Sequence, residues 1–207
     1  MKFHNKEELL KNLRKTTLNN DVNILPYKDA KIELKNLSID SISPTSFYYF
    51  TDTVYKLTEL YDQLFLQNVD LFNLNGYVEF TVDDNNLVVT PPIIEKVNDD
   101  LLLVDGMHRV MLSYLLGKES IQCIIIDGAK PLTYAVSNPN GWKDVQAFKN
   151  EVPQGFKTRL RRYPDSVYRQ YSRVFNFEGQ VQIPRKHHLN KLRADQIILQ
   201  KATENIR

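Results

Sequence analysis

The stretch LLLVDGMHRVMLSYLLG, residues 101 to 117, constrains this chain more than any other part of it. Four apolar residues read as a buried strand. Asp105-Gly106 is turn material, and from Met107 the spacing becomes helical, with Val110, Met111, Tyr114 and Leu115 on one face. Gly117 is placed to end that helix in a left-handed conformation. The run IQCIII at 121–126 then reads as a second strand, apolar on both faces. Strand, glycine turn, helix and buried strand thus follow one another within 26 residues.

The turn carries more than topology. The first N–H groups of a helix lack internal acceptors, and the helix dipole favours negative charge there. Gly106 allows close approach of a backbone. His108 and Arg109 add cationic or donor groups in the first turn, where the dipole disfavours cations unless an anion lies between. That conflict points to a phosphate. The competing reading is that Arg109 simply pairs with Asp105 and His108 is a surface residue.

Composition sets the outer limits. A chain of 207 residues with 42% hydrophobic and 25% charged content suits one core plus a small extension. One cysteine, Cys123, excludes an internal disulfide framework and fits a reducing compartment; inside IQCIII it reads as a small hydrophobe. No apolar segment reaches the ~18 residues of a membrane span. The amphipathic N-terminus does not resemble a signal peptide, so the expected location is cytoplasmic.

The net charge of +2 conceals a division. Residues 1–150 hold 15 Lys and Arg against 20 Asp and Glu, whereas residues 151–207 hold 12 against 5. A basic C-terminal quarter on an acidic body asks for an anionic partner at that end.

Along the chain, Leu9, Leu10 and Leu13 predict a short helix within 5–18, and LPYKD at 25–29 a turn. KIELKNLSID at 31–40 predicts a strand with a bend or bulge, because its apolar phase changes between Leu34 and Leu37. Residues 51–74 predict one long helix capped by Thr51 or Asp52. Residues 77–82 and 87–90 predict a hairpin with Glu79, Asp83 and Asp84 solvated, and 93–97 with 101–104 a second strand–turn–strand. Further on, helices are expected around Trp142, Val145 and Phe148 and over 164–175. An edge strand is expected at QVQIP, and a weak helix over 190–205. His4 has no sequence partner that suggests a role, and adjacent His187 and His188 do not have metal-ligand spacing.

The run PPIIEKVNDDLLLVDGMHRVMLSYLLGKESIQCIII resembles the core of the ParB/sulfiredoxin superfamily, in which D-G-x-H-R at a strand–helix junction is a recurring motif. The likeness covers residues 91–126, and 31–126 if the strand near Leu34 and the helix near Leu57 are included. It implies a mixed α/β (α+β) domain, a small mixed sheet flanked by helices. It also implies that Gly106, Met107, His108 and Arg109 hold nucleotide phosphates, that Asp105 braces the turn or helps hold Mg²⁺, and that Asp105 and His108 are catalytic candidates. ATP, ADP or CTP with Mg²⁺ are the implied ligands. Sulfiredoxins carry a cysteine before the His-Arg pair and partition-type CTPases an acid; Met107 stands there in this chain, which argues against sulfiredoxin activity. Free-serine kinases share D-G-x-H-R but use a carboxylate base shortly after the first strand, where this chain has Ser46. Asp40 and Asp52 are the nearby substitutes.

Residues 156–193 carry ten Lys and Arg against two acids, interleaved with Phe156, Tyr163, Tyr168, Tyr171, Phe175 and Phe177. Arginines among aromatics suit phosphate backbones and stacked bases, making Arg159, Arg161, Arg162, Arg169 and Arg173 candidates for DNA contact. The same pattern also suits a helix with solvated arginines, or arginines closing over the domain's own nucleotide. The expected organisation is therefore a nucleotide-binding domain over 1–130, with a helix-and-hairpin insertion over 51–90, and a basic, mainly helical extension over 131–207. The leading expectation is a phosphotransferase or nucleotide hydrolase. The alternatives are a DNA-binding accessory protein, partition- or nuclease-like, and a catalytically inactive interaction module.

Overall fold

The computed structural model describes residues 1–18, 21–82, 85–130, 136–137, 139–156, 160–161 and 173–175. Strand β1 (Lys2–Asn5) runs directly into helix α1 (Lys6–Leu13). Asn5 fixes that start: its Oδ1 accepts from the Glu8 N–H at 3.0 Å, while Glu8 Oε2 accepts from the Asn5 N–H at 3.2 Å. This reciprocal box satisfies two donors a helix end would otherwise orphan. Then follow β2 (Thr17–Leu18), β3 (Lys31–Ser38), β4 (Tyr48–Phe50), α2 (Thr51–Phe65), β5 (Gly76–Val82), β6 (Asn85–Val89), β7 (Ile93–Val97), β8 (Asp100–Asp105), α3 (Met107–Leu115) and β9 (Ser120–Asp127). Short strands β10 (Val136–Ser137), β11 (Gln146–Phe148), β12 (Leu160–Arg161) and β13 (Arg173–Val174) complete the described elements.

The central sheet has the order β3-β9-β7-β8. Strand β9 is antiparallel to β3 and parallel to β7, and β7 and β8 form an antiparallel hairpin. Side chains alternate across β9 as a strand requires. Ile121 and Cys123 enter one core with Val110, Met111, Leu60 and Leu64 from the helices, while Ile124 and Ile126 enter a second with Leu9, Leu13 and Tyr27. A sheet covered on both faces explains why IQCIII is apolar without alternation. Strands β1, β5 and β6 form a separate three-stranded sheet.

The same two-sided burial corrects the expected bend in the first strand. β3 pairs with β9 in unbroken register from Lys31–Asp127 to Ser38–Ser120. Its apolar phase changes because Ile32 and Leu34 pack in the α1 core and Leu37 in the α2–α3 core. The real irregularity lies in β8. Ile93 pairs with Asp105 and Ile94 with Leu103, which leaves Val104 as a bulged residue.

Other expectations are also revised. The helix from Thr51 ends at Phe65 rather than reaching residue 74. Asn68 takes φ 58, and the Val69 N–H returns to the Leu64 carbonyl at 3.0 Å, a left-handed stop made by asparagine. Leu71 and Phe72 are nonetheless buried, through a short 3₁₀ turn capped by Asp70. Phe50, not Thr51 or Asp52, occupies the helix cap, and it makes no side-chain cap bond. Around Trp142 there is no α-helix: Trp142–Asp144 is a 3₁₀ turn and β11 pairs in parallel with β4. Trp142 itself is buried and donates to the Ile39 carbonyl at 2.8 Å. Within the helix expected over 164–175, Arg173–Val174 is a strand paired with β2, and residues 164–172 lie outside the described residues. QVQIP, His187, His188 and the segment 190–205 also lie outside them.

His4 and Glu79 depart from expectation together. The His4 side chain is buried, with Nδ1 3.4 Å from Glu8 and Nε2 3.2 Å from Glu79, and its ring stacks on Tyr77 at 4.1 Å. No described helix is long and apolar enough to cross a membrane.

Candidate functional site

Strand β8 delivers Asp105 to the end of the sheet, and the bulge at Val104 resets which way it points. Gly106 follows at φ 96, ψ 20, as the cap of α3. An added Cβ there would lie 2.9 Å from Pro92 Cα and 3.0 Å from Arg109 Nη2, so only glycine fits. Pro92 is the wall behind the turn, and its carbonyl is tied to the sheet by the Ile124 N–H at 2.8 Å. The first intrahelical bond of α3 is Val110 N–H to the Gly106 carbonyl at 3.0 Å, so the amides before Val110 belong to the helix end rather than to its ladder.

Arg109 and Asp105 form the ion pair allowed by their spacing, Nη2 to Oδ2 at 2.7 Å, with side chains only 13% and 22% exposed. This holds the guanidinium across the mouth of the turn. Arg109 Nε is buried and has no hydrogen-bond partner among the described residues. Beneath it, burial pushes the Cys123 thiol up to about 12, partly offset by the Arg109 charge. Cys123 is therefore a protonated core residue.

His108 is no surface residue. Its Nε2 accepts the Phe50 N–H at 3.1 Å, and its ring stacks on Phe50 at 6.2 Å with 20° between planes. Acceptance at Nε2 puts the ring proton on Nδ1. The segment before β4 is laid along the sheet edge: Ser43 bridges to Leu102, and Thr45 Oγ1 donates to the Leu103 carbonyl at 2.6 Å. Ser46 turns back on itself, donating to the Tyr48 carbonyl at 2.8 Å and accepting the Tyr48 N–H at 3.2 Å. Asp40 is exposed, whereas Asp52 is half-buried two residues beyond the Phe50 that holds His108.

A family model described as the ParB CE domain matches residues 8–146, more than half of the chain. The chain belongs to the ParB CE domain family. Among solved structures it is similar to a conserved hypothetical protein from Pyrococcus furiosus, with 19% identity and a TM-score of 0.30 over 47% of this chain and 33% of that one. It is also similar to a free serine kinase in complex with AMP, with 18% identity and a TM-score of 0.29 over 46% and 31%. The aligned region thus spans about a third of the length of either structure. No curated protein matches.

In this ParB CE domain the turn's own chemistry suits a phosphate better than a metal. A left-handed glycine cradle, a helix end and a guanidinium with an unpartnered buried Nε are all donors or space for an anion. Among the described residues no group of three or more His, Cys, Asp or Glu could hold a metal ion, and the Asp105 Oδ2 already accepts from Arg109. Among the arginines of the basic end, Arg161 and Arg173 lie in β12 and β13, far along the chain from the turn. Arg159, Arg162 and Arg169 lie outside the described residues. What sequence reasoning missed at the site is Pro92, Phe50 and the Val104 bulge. The Pro-Pro pair was the available signal for the first; the other two depend on contacts remote in sequence.

Proposed function

We propose that this ParB CE domain binds a nucleotide by its phosphates at the β8–α3 turn and uses them for phosphoryl transfer or hydrolysis. The observation that carries the reading is Arg109: a largely buried guanidinium at a glycine-lined helix end, held by Asp105 and with Nε unpartnered. Gly106, Met107, His108 and Arg109 form the phosphate contacts, with amides of the first turn and the guanidinium as donors. Asp105 and His108 act by position. Asp105 aims Arg109, and His108 links the turn to β4 through Phe50. Mg²⁺ would enter with the phosphates, since Mg²⁺ commonly keeps several waters and shares its ligands with the substrate. With Ser46 closed on its own turn, Asp52 is the carboxylate best placed to serve as a base. Catalysis of this kind rests on positioning and charge neutralisation.

Calorimetry with ATP, ADP and CTP in Mg²⁺, on wild type and Arg109→Ala, tests the reading. Binding that the variant loses while remaining folded supports it; absence of binding to all three sinks it. A second reading, DNA binding by the basic end, is favoured by the 12 Lys and Arg against 5 acids over residues 151–207. It predicts DNA affinity that falls steeply with salt, because neutralised phosphates release counterions. A protein that binds neither nucleotide nor DNA is an interaction module.

A further inference from the structure

Helix α2 starts without a local cap. Phe50 occupies the cap position and offers no side-chain acceptor, so amides at the helix start find partners far away in sequence. The Phe50 N–H donates to His108 Nε2 at 3.1 Å, and the Asp52 N–H to the Lys149 carbonyl, just past β11, at 3.2 Å. The first of these fastens the start of α2 to the β8–α3 turn, 58 residues later in the chain. A backbone N–H has no acceptor capacity, so this bond exists only while Nε2 is unprotonated. The imidazolium carries a proton on both nitrogens and would point a donor at a donor. The Asp52–Lys149 backbone bond and the β4–β11 pairing, by contrast, do not depend on any proton that moves near neutral pH.

We propose that the His108–Phe50 bond is a proton-operated latch: neutral His108 holds the start of α2 against the β8–α3 turn, and protonation releases it. The device goes beyond the nucleotide reading and does not rest on it, since both partners belong to the chain. The element it governs carries Asp52 in its first turn. The titratable and charged groups on the elements that meet here are Asp105 and Arg109 in the turn, Asp52 in α2, Tyr48 and Tyr49 on β4 and Lys149 after β11. Asp105 and Arg109 are paired with each other and present little net charge. A carboxylate such as Asp52 favours the imidazolium, but the imidazolium forms only once Nε2 has let go of Phe50. Such a group moves the pH at which the latch opens and leaves the direction unchanged. The released state binds the extra proton, so the latch is closed above the pH at which a free histidine titrates, about 6.5, and weakens as pH falls below it.

The test is amide hydrogen exchange by NMR on the full chain without ligand. The Ile124 N–H, which donates to the Pro92 carbonyl, serves as internal reference. With the released histidine titrating at ~6.5 and the latched one not at all, release becomes easier by about thirtyfold between pH ~7.5 and pH ~5. The expected result is that Phe50 protection, corrected for the intrinsic exchange rate, falls by roughly that factor relative to Ile124. His108→Gln keeps a side-chain oxygen that accepts from Phe50 and cannot titrate, so its ratio of Phe50 to Ile124 protection is expected to stay flat. The ring ¹⁵N spectrum of the wild type is expected to show His108 Nε2 unprotonated at pH ~7.5. Phe50 protection that tracks Ile124 across the range overturns the latch, and so does a proton on Nε2 at pH ~7.5. A glutamine variant that loses Phe50 protection as wild type does also overturns it, since the pH dependence then arises elsewhere. Should the variant not fold, the two wild-type measurements decide alone.

Discussion

Gly106→Ala is the sharpest probe of the turn, because two costs can be read separately from the geometry. At φ 96 an L residue is in left-handed backbone space, which costs about 1–2 kcal/mol. The new Cβ also lands 2.9 Å from the Cα of Pro92, a backbone atom pinned to β9 through the Ile124 N–H. Relieving such an overlap costs a further 1–3 kcal/mol or so. Loss of unfolded-state freedom returns about 0.4–1 kcal/mol. The net destabilisation is about 2–4 kcal/mol. Gly117→Ala is the control: Gly117 is also left-handed, φ 68, but nothing lies within 4 Å of its added Cβ, so it loses only about 1 kcal/mol. Urea unfolding followed by the fluorescence of Trp142, the single tryptophan, measures both. If Gly106→Ala costs no more than Gly117→Ala, the turn is not packed against Pro92 and the close-approach reasoning is wrong.

Three other expectations can be checked by the same unfolding assay. Tyr27→Phe removes the hydrogen bond from the buried Tyr27 hydroxyl to Glu95 Oε1 at 2.6 Å and costs about 1.5–3 kcal/mol; a change near zero would mean the bond is not formed in solution. Trp142→Phe deletes the donor to the Ile39 carbonyl and costs about 1–2 kcal/mol, read by circular dichroism because the fluorophore is gone. The Cys123 thiol is held at about 12 in the folded protein against its ordinary 9.0, so above pH 9 the unfolded chain binds fewer protons than the native one. Stability from this group is intact below pH 9 and falls by up to ~1.4 kcal/mol per pH unit between pH 9 and 12. Cys123→Ala removes that slope, and a disulfide reagent labels native Cys123 only as fast as the protein unfolds.

Much of the central domain is written locally. The runs at 93–97, 101–104 and 121–126 became β7, β8 and β9, and the helical spacing after Gly106 became α3. Gly117 caps α3 as expected, with the Lys118 N–H returning to the Ser113 carbonyl. Asn68 makes the corresponding stop in α2, yet an asparagine amid continuing apolar periodicity does not announce itself. Leu71 and Phe72 kept the pattern because they re-enter the same core by a different backbone path. Failures of another kind were long-range. Residues 146–148 read as helix but are recruited by β4, almost a hundred residues earlier in the chain. His4, Glu79, Tyr27 and Glu95 pair across 68 residues or more, and nothing nearby in sequence marks either end. At the site, Gly106, His108 and Arg109 were legible as a group. The pairing of Arg109 with Asp105 was foreseen only as a rival to the phosphate, whereas the two arrangements are compatible.

That compatibility has a measurable consequence. Asp105 neutralises Arg109 where both side chains are poorly exposed. An arriving phosphate would share the guanidinium with a carboxylate a few ångströms away, and two unit charges at such separations repel by about 1 kcal/mol in bulk water and by more where solvent is partly excluded. Asp105→Asn keeps an oxygen that accepts from Arg109 Nη2 but removes the charge. Tripolyphosphate without Mg²⁺ should then bind at least roughly fivefold tighter, the factor that ~1 kcal/mol represents, while the folded state loses ~1–3 kcal/mol because Arg109 is left without its counter-ion. If Asp105 instead holds Mg²⁺, the variant gains nothing without Mg²⁺ and loses affinity for the Mg²⁺–nucleotide. Unchanged affinity in both conditions would remove Asp105 from the site altogether and leave Arg109 as an ordinary helix-end ion pair. Titration of tripolyphosphate with and without Mg²⁺ separates the three outcomes, because the direction of the change, not its size, assigns the role.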